Sequence, residues 1–486
     1  MNIGQTASGG TTVSLPDRPS GLSQSAASLE VASTYLLDFF NAGGRSVLIR
    51  GDPGTGKTSL VLQLLDYHSK SEFKSIYMST RLSAKTLKSH QPWIEVVQGK
   101  YGTVPRLEEE QIGFQDSRRM DGIRAISGLR QYLEQISNPF VVLDSWEGLF
   151  FESHTLGVEE ISKLVEDYEA RFVVVTERRE QTDLDYLLDG VVVLRRKFHE
   201  GRVVREIELR KLRGVSIEQS RFLFTLDSGK FRYLPPFNFS KYSERSDAVG
   251  EPIQSPRRGT HSSGVVAMDS ILGGGFKQGS LNLLEVNNDV PSEVLHLTFR
   301  TVFSNFINCG HKVVYVPFLG ASRTDVEAML PNVSSATLKD NLTVISYEGK
   351  KADQRVSANS THLKGDVRTD FDLINSTVEL LRQESGKPVL VALVQDALEG
   401  LYGVETVYGD YARSIAMIKS SGNVRLQISS PTASLLPELK ALCDTNLRIG
   451  MLHGTPILYS VKPQSVLHGM VQDPSARGRL GLVPIV

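Results

Sequence analysis

The sequence lacks several features that would place it in a specialised class of protein. Its 486 residues include only two cysteines, Cys309 and Cys443, too few for a disulfide framework or a four-cysteine zinc site, and a reducing cytoplasm suits such a chain. Apolar runs such as residues 388–394 are far shorter than the roughly 20 residues of a membrane-spanning helix. With 54 Lys and Arg against 55 Asp and Glu, no overall field attracts nucleic acid or an anionic membrane.

What is present is the composition of a globular protein with room for two or three domains. The chain is 40% hydrophobic and 22% charged, which excludes a disordered or fibrous protein. No basic residue precedes Arg18 and no apolar core stands near the start. The first residues therefore predict a mobile Ser/Thr/Gly-rich segment and not a secretory signal.

Short β-branched runs recur in both halves, with helical stretches between them. The runs lie at residues 46–50, 75–79, 140–144, 171–176 and 190–194, and again at residues 281–286, 313–316, 342–345, 389–394 and 424–428. Strands that are apolar along their whole length must be covered on both faces. The sequence therefore predicts an α/β fold with mainly parallel sheets.

The order of elements in the first half returns in the second. The segment DSWEGLF at residues 144–150 follows one strand, and DALEGLY at residues 396–402 follows another. A duplicated unit explains this match, although two unrelated α/β domains that share the motif by chance remain an alternative. The predicted divisions are a flexible terminus at 1–24, a first domain at 25–234, a linker at 235–262 and a second domain at 263–486.

A phosphate-binding loop is predicted after the first strand, where GDPGTGKT fits the pattern GxxxxGK[ST] in full. Its glycines let successive N–H groups point inward, and the following helix adds the positive end of its dipole. Lys57 can reach phosphate oxygens, and the Thr58 hydroxyl is a ligand for Mg²⁺. The predicted binding residues are Gly51, Asp52, Pro53, Gly54, Thr55, Gly56, Lys57, Thr58 and Ser59.

Asp144 ends an apolar strand, as a Walker B aspartate does. A carboxylate there would orient the waters of Mg²⁺, so Thr58 and Asp144 are the predicted metal residues. A helix cap after the strand is the plainer alternative. The sequence contains no Asn-Lys-x-Asp motif for the recognition of guanine, and this absence favours ATP over GTP.

These motifs resemble the RecA-like P-loop ATPases, in particular the branch that contains KaiC and the archaeal RadA-like proteins. The resemblance covers roughly residues 36–233, and within that branch the sequence Ser79-Thr-Arg81 is similar to the archaeal gas-vesicle regulatory protein D group. It implies two RecA-like domains, the first of which binds ATP with Mg²⁺. It also implies that Lys211 and Arg213 reach the γ-phosphate of a neighbouring subunit in a homo-oligomer; a solvated basic strand is the alternative reading.

The second half carries the family's opening sequence at residues 264–281 but not the phosphate loop. Residues 286–293 read VNNDVPSE, so Asp289 and Glu293 place negative charge where phosphate would lie, and Pro291 lacks an N–H donor. We therefore predict a degenerate second domain that binds no ATP and undergoes no autophosphorylation.

The first half lacks the acidic residue that the family carries after its second strand to activate water. Glu147 and Glu177 are candidate replacements, and Lys57, Asp144, Lys211 and Arg213 complete the predicted catalytic set. General-base assistance contributes about 10² to 10⁴-fold, so its loss leaves slow hydrolysis. The sequence predicts a slow Mg-dependent ATPase or nucleotide-dependent switch in signalling or regulation. Alternatives are a RadA-like DNA-associated ATPase and a regulator that acts by protein contact with ATP as a structural ligand.

Overall fold

The computed structural model describes residues 31–71, 73–99, 103–108, 110–150, 154–239, 251–318, 320–347, 361–473 and 479–486. The predicted flexible terminus, residues 1–24, and residues 240–250 of the predicted linker lie outside these ranges. Two ten-stranded sheets organise the described chain.

The first sheet has the strand order β10-β9-β8-β7-β1-β6-β5-β2-β4-β3, parallel from β7 to β3 and antiparallel from β7 to β10. Its strands are β1 (Ser46–Gly51), β2 (Lys74–Ser79), β3 (Val97–Gln98), β4 (Ile112–Asp116), β5 (Pro139–Asp144), β6 (Arg171–Thr176), β7 (Gly190–His199), β8 (Arg202–Leu212), β9 (Arg221–Thr225) and β10 (Arg232–Leu234). Its helices are α1 (Val31–Asn41), α2 (Lys57–Ser69), α3 (Ala84–His90), α4 (Gly122–Leu133), α5 (Glu147–Phe150), α6 (His154–Asp167) and α7 (Asp183–Leu187), with a 3₁₀ turn at Asp227–Gly229.

The second sheet has the order β16-β15-β14-β17-β18-β13-β19-β20-β21-β22, after a small ribbon of β11 (Thr260–His261) and β12 (Phe276–Lys277). Its strands are β13 (Leu281–Val286), β14 (Val313–Val316), β15 (Leu342–Tyr347), β16 (Thr361–Leu363), β17 (Leu390–Val394), β18 (Val424–Ser429), β19 (Thr445–Leu452), β20 (Thr455–Lys462), β21 (His468–Asp473) and β22 (Arg479–Pro484). Its helices are α8 (Val266–Ile271), α9 (Ser292–Asn308), α10 (Arg323–Ala328), α11 (Ser335–Asn341), α12 (Val367–Ser385), α13 (Gln395–Tyr402), α14 (Val404–Ser421) and α15 (Leu436–Leu442).

The two sheets share one topology. Counted outward from β1 and from β13, each sheet has a run of parallel strands on one side and an antiparallel meander on the other. The central strands are buried on both faces and carry one apolar cluster on each side. The predicted α/β class with two mainly parallel sheets is confirmed, while the exact domain boundaries stay a prediction.

Every predicted strand but one begins and ends within two residues of the observed strand. The strand expected at residues 190–194 continues to His199 as β7, because it pairs with the polar strand β8 beyond the edge of the core. The strand β4 was not predicted, because it is short and Gly113 and Gln115 interrupt its apolar pattern. None of the described helices is both long and apolar enough to cross a membrane.

The antiparallel meanders of the two halves pack against each other. A shared apolar cluster includes Leu223 and Leu234 of the first half and Ile457 and Tyr459 of the second. Arg202 crosses the boundary, since its Nη2 donates to the Ser460 carbonyl at 2.7 Å. This contact joins β8 of the first half to β20 of the second.

Candidate nucleotide site

The predicted phosphate loop joins β1 to α2 in five residues. Gly54 and Gly56 have φ angles of 76° and 100°, in the left-handed region that favours glycine. A Cβ on Gly51 would lie 2.7 Å from the Leu194 carbonyl oxygen, so this position also excludes a side chain. The three glycines therefore allow a tight backbone curl at the amino end of α2, the geometry that anion binding by N–H groups requires.

Lys57 lies inside this curl and is buried. Its Nζ donates to the carbonyl oxygens of Gly51 at 2.6 Å and Asp52 at 3.0 Å, and it lies 3.9 Å from Glu177 Oε1. Burial lowers the pKa of Lys57, while the charges of Glu177 and Asp144 act in the opposite direction. An ammonium held mainly by neutral carbonyl groups is well placed to exchange them for phosphate oxygens.

The predicted metal residues Thr58 and Asp144 are brought together. The Thr58 hydroxyl donates to Asp144 Oδ2 at 2.7 Å, and the buried Tyr77 hydroxyl donates to the same oxygen at 2.8 Å. Burial, with the Asp144 charge, raises the pKa of Tyr77 well above its ordinary value, so the phenol remains a donor. A hydroxyl and a carboxylate beside a phosphate cradle are oxygen ligands of the kind that Mg²⁺ takes, so the residues fit this ion.

An open pocket of about 370 Å³ connects the loop to these side chains. The pocket is of the size that small ligands occupy in proteins. Five of its lining residues are not among the predicted site residues: Tyr77, Ser79, Arg81, Leu82 and Leu226. The lining residues are Pro53, Gly54, Gly56, Lys57, Thr58, Ser59, Tyr77, Ser79, Arg81, Leu82, Asp144, Glu177 and Leu226.

The two candidate bases have different surroundings. Glu147 accepts a hydrogen bond from the Thr176 hydroxyl and lies 3.3 Å from the Glu177 backbone nitrogen, outside the pocket lining. Glu177 lines the pocket and forms a bidentate ion pair with Arg81, whose Nη2 lies 2.7 Å from Glu177 Oε2. This hydrogen-bonded pair raises the pKa of Arg81. Glu177 thus lies beside the phosphate loop, and its carboxylate is already paired with the Arg81 guanidinium.

The remaining loop residues have local roles. Asp52 receives two hydrogen bonds from Arg179, at 2.6 and 2.8 Å. The Thr55 hydroxyl donates to the Asp52 carbonyl at 2.7 Å, and the Ser59 hydroxyl accepts from Gln91 at 3.1 Å. These bonds fix the loop from three directions without closing the pocket.

Lys211 and Arg213 are not brought to this pocket. Lys211 pairs with Val191 at the beginning of β7, which lies beside the beginning of β1, whereas the phosphate loop follows its end. Lys211 Nζ donates to the Leu188 carbonyl at 2.6 Å, and Arg213 Nη1 lies 3.0 Å from Asp189 Oδ1. Both cations therefore lie at the end of the strands opposite to the phosphate loop. Any contact that they make with nucleotide would involve another subunit.

Arg205 was not predicted as a site residue. Its Nη1 donates to the Gly54 carbonyl at 3.0 Å, and its Nε donates to the Val486 carbonyl in the second half. The Leu226 N–H also donates to Val486, at 3.4 Å. Residues 150 or more positions apart make these contacts, so no local sequence pattern could have revealed them.

The corresponding corner of the second half has a loop of equal length, residues 287–291, between β13 and α9. It contains no glycine, and Ser292 and Glu293 stand where Lys57 and Thr58 stand in the first half. Asp396, the counterpart of Asp144 in the repeated motif, accepts a hydrogen bond from the Ser430 N–H at 2.9 Å. This corner thus offers a hydroxyl in place of the ammonium that would hold phosphate, and a carboxylate in place of the hydroxyl that would hold the metal.

Comparison with known proteins agrees with this geometry. Residues 41–232 match a family model described as the KaiC ATPase. The chain is 27% identical to Protein GvpD2 of Halobacterium salinarum over 90% of this chain and 92% of that protein, and 23% identical to Protein GvpD1 of the same organism over 89% and 92%. It is 27% identical to the circadian clock oscillator protein KaiC of Synechococcus elongatus over 49% of this chain and 48% of that protein.

These matches confirm the resemblance drawn from the motifs. A KaiC-like ATPase domain implies nucleotide binding, and the matched range contains the whole phosphate loop and Asp144. The relatives that extend along the full chain cover the second half as well. The chain therefore contains a KaiC-like ATPase domain at residues 41–232, and its two sheets have the RecA-like arrangement that the motifs predicted.

Proposed function

We propose that the chain binds ATP with Mg²⁺ at the phosphate loop of its first half, hydrolyses it slowly, and uses the bound state as a regulatory switch. The observation that carries this proposal is the pocket in which Lys57, Thr58 and Asp144 converge on one glycine-rich turn. We also propose the cytoplasm as its compartment, and residues 25–234 and 263–486 as its two domains, joined by a linker at 235–262.

Thr58 and Asp144 would hold the metal ion, which when bound shields the phosphate charge. Lys57 exchanges its carbonyl partners for phosphate oxygens, and the loop N–H groups bind the rest of the anion. Tyr77 keeps the Asp144 carboxylate oriented toward Thr58. These residues would together hold the triphosphate and its metal ion at the amino end of α2.

Glu177 is the better candidate for the proton acceptor, because it lines the pocket while Glu147 is held by Thr176. In the structure, the Glu177 carboxylate is hydrogen-bonded to the Arg81 guanidinium. A γ-phosphate would compete with Glu177 for the Arg81 guanidinium, since both are anions within reach of the same side chain. Because Glu177 must lose its arginine partner before it can accept a proton from water, hydrolysis should be slow.

The switch has a route to the second half. Leu226 lines the pocket, and its backbone bonds to Val486; Arg205 joins Gly54 of the loop to the same residue. This connection also favours the second candidate function, a regulator that acts by protein contact with ATP as a structural ligand. Full-length similarity to the GvpD proteins is consistent with either form of regulation.

A DNA-associated role receives little support from the basic hairpin of β7 and β8. Arg195 and Arg210 both lie near Glu208, and Lys197 Nζ lies 2.6 Å from Glu206. Charges neutralised by neighbouring carboxylates contribute little to phosphate contacts. A steep loss of DNA binding between low and physiological salt would restore this alternative.

The test is a calorimetric titration with MgATP, beside a steady-state assay of phosphate release, for wild type, Lys57→Ala and Arg213→Ala. Lys57→Ala should weaken binding by about 10- to 100-fold, because one charged hydrogen-bond donor is lost. Wild-type affinity in this variant would contradict the proposal. Binding without phosphate release would select the structural-ligand form over the enzyme.

Arg213→Ala separates the oligomeric form of the proposal from a single-chain site. If Arg213 acts on the nucleotide of a neighbouring subunit, the variant should bind MgATP normally and lose rate, and mixing it with Lys57→Ala should restore part of the activity. A mass measurement with and without MgATP reports whether subunits assemble. Normal turnover in Arg213→Ala would remove this residue from the catalytic set.

A further inference from the structure

The second half contains a cavity that is separate from its degenerate phosphate corner. It has a volume of about 270 Å³ and lies among α12, α14, β17 and β18. Arg425 stands at the beginning of β18, beside Leu281 at the beginning of β13, whereas residues 287–291 follow the end of β13. The residues that line the cavity are Phe371, Ile374, Asn375, Val378, Glu379, Val391, Leu393, Ser414, Met417, Ile418, Ser421, Asn423 and Arg425.

Arg425 is unusual among these residues because its charge is buried without a counter-charge. The residue is 2% exposed. Its Nε donates to Gln427 Oε1 at 2.9 Å and its Nη1 donates to the Ser414 hydroxyl, while its Cζ lies 5.9 Å from the centroid of the Tyr411 ring. Both partners are neutral, whereas buried charges in proteins are normally paired.

Two carboxylates on neighbouring helices, Glu379 of α12 and Glu399 of α13, do not supply the missing charge. Glu379 at the cavity rim is exposed, accepts from Gln383 at 3.0 Å and lies 3.7 Å from Arg382. Glu399 accepts from Gln395 at 2.8 Å and from the Ser434 N–H at 2.8 Å. Burial lowers the pKa of Arg425 and the charge interaction with Tyr411 acts in the other direction, but a guanidinium remains charged in proteins.

We infer that this cavity binds a small amphipathic carboxylate, whose anionic group pairs with Arg425 and whose apolar body packs on Phe371, Ile374 and Val378. A single guanidinium with few other donors suits a monoanion better than a phosphate dianion, which needs several donors. The largely apolar lining suits a hydrocarbon body. The site is independent of the nucleotide pocket and would give the second half a ligand of its own.

The test uses octanoate as the probe on the full chain, with octylamine as a probe of similar shape and opposite charge. Octanoate should bind saturably in calorimetry and raise the Tm, and octylamine should do neither. Arg425→Met should weaken octanoate binding at least tenfold. Arg300→Met is the matched control, because Arg300 also lacks an ion-pair partner among the described residues but does not line the cavity.

A second variant protects the test against misfolding of Arg425→Met. Met417 lies at the cavity rim and is 38% exposed, so Met417→Glu should fold normally and repel the octanoate carboxylate, while Met417→Gln should retain binding. The inference is overturned by an absence of saturable octanoate binding to wild type, by equal binding of octylamine, or by octanoate affinity that neither Arg425→Met nor Met417→Glu reduces.

Discussion

The carboxylate of Glu206 on β8 should hold the two halves together in a way that acid pH weakens. Its side chain is 8% exposed, and Oε1 lies 2.9 Å from Nε2 of His453, in the turn between β19 and β20. Its Oε2 lies 2.6 Å from Nζ of Lys197. Glu206→Gln keeps the size of the side chain but removes the negative charge that contacts Lys197 of the first half and His453 of the second.

The magnitude follows from the pKa of Glu206. The hydrogen bond with His453, assisted by Lys197 and opposed by burial, lowers this pKa from 4.5 to about 2. A shift of this size corresponds to about 3 kcal/mol of stability at neutral pH, which we reduce to about 2 kcal/mol because Lys197 is partly exposed and screened. Because the folded-state pKa is the lower one, the contribution is complete well above pH 4.5 and falls away as the pH drops from 4.5 toward 2.

The assay is urea unfolding of wild type and Glu206→Gln at several pH values between 7 and 3. The difference in unfolding free energy should be largest at pH 7 and fall to less than half of that value by pH 3. Glu405→Gln is the control, because Glu405 is exposed and makes no hydrogen bond or ion pair with the described residues; it should change stability by less than about 0.5 kcal/mol. A Glu206→Gln difference that stays constant across this range would refute the reasoning.

Three further predictions concern the nucleotide site. Asp144→Asn should abolish most of the Mg²⁺ dependence of ATP affinity, measured by titration with and without Mg²⁺; unchanged dependence would exclude Asp144 as a metal residue. Glu177→Gln should reduce kcat by about 10²-fold or more, since it removes the proton acceptor, whereas Glu147→Gln should retain more activity; the reverse order in single-turnover assays would assign the base to Glu147. Arg205→Ala should weaken MgATP binding by up to about tenfold, as one hydrogen bond to the loop is lost, while its strand neighbour Arg196→Ala should not; equal affinities would show that the contact with Gly54 does not matter.

The fold was largely predictable because its strands are local patterns. Strands that are apolar throughout must be buried on both faces, and β6, β13 and β14 begin and end where the sequence predicts. The phosphate loop is predictable for the same reason, since its glycines, Lys57 and Thr58 are contiguous. Neither the strand patterns nor the phosphate-loop motif depends on contacts between distant parts of the chain.

The surroundings of the loop were not predictable, because distant residues form them. Arg81 and Glu177 are 96 positions apart, and only the parallel order of the sheet brings the ends of β2 and β6 to one edge. Arg205 reaches Gly54 across a hairpin whose length the apolar pattern underestimates. A motif identifies the groups that bind phosphate, but sheet topology decides which charges lie beside them.

The second half retains its sheet although its phosphate loop has changed, because the loop does not hold the sheet together. At the corner itself, the Asn287 N–H donates to the Ile449 carbonyl at 3.0 Å, which ties the loop to β19 without glycines or a ligand. What this half contributes to the first lies elsewhere, in the meander that packs on β8 to β10 and places Val486 beside Leu226 and Arg205. A substitution that loosens this meander should therefore alter nucleotide binding in the first half, even though the second half contains no phosphate loop.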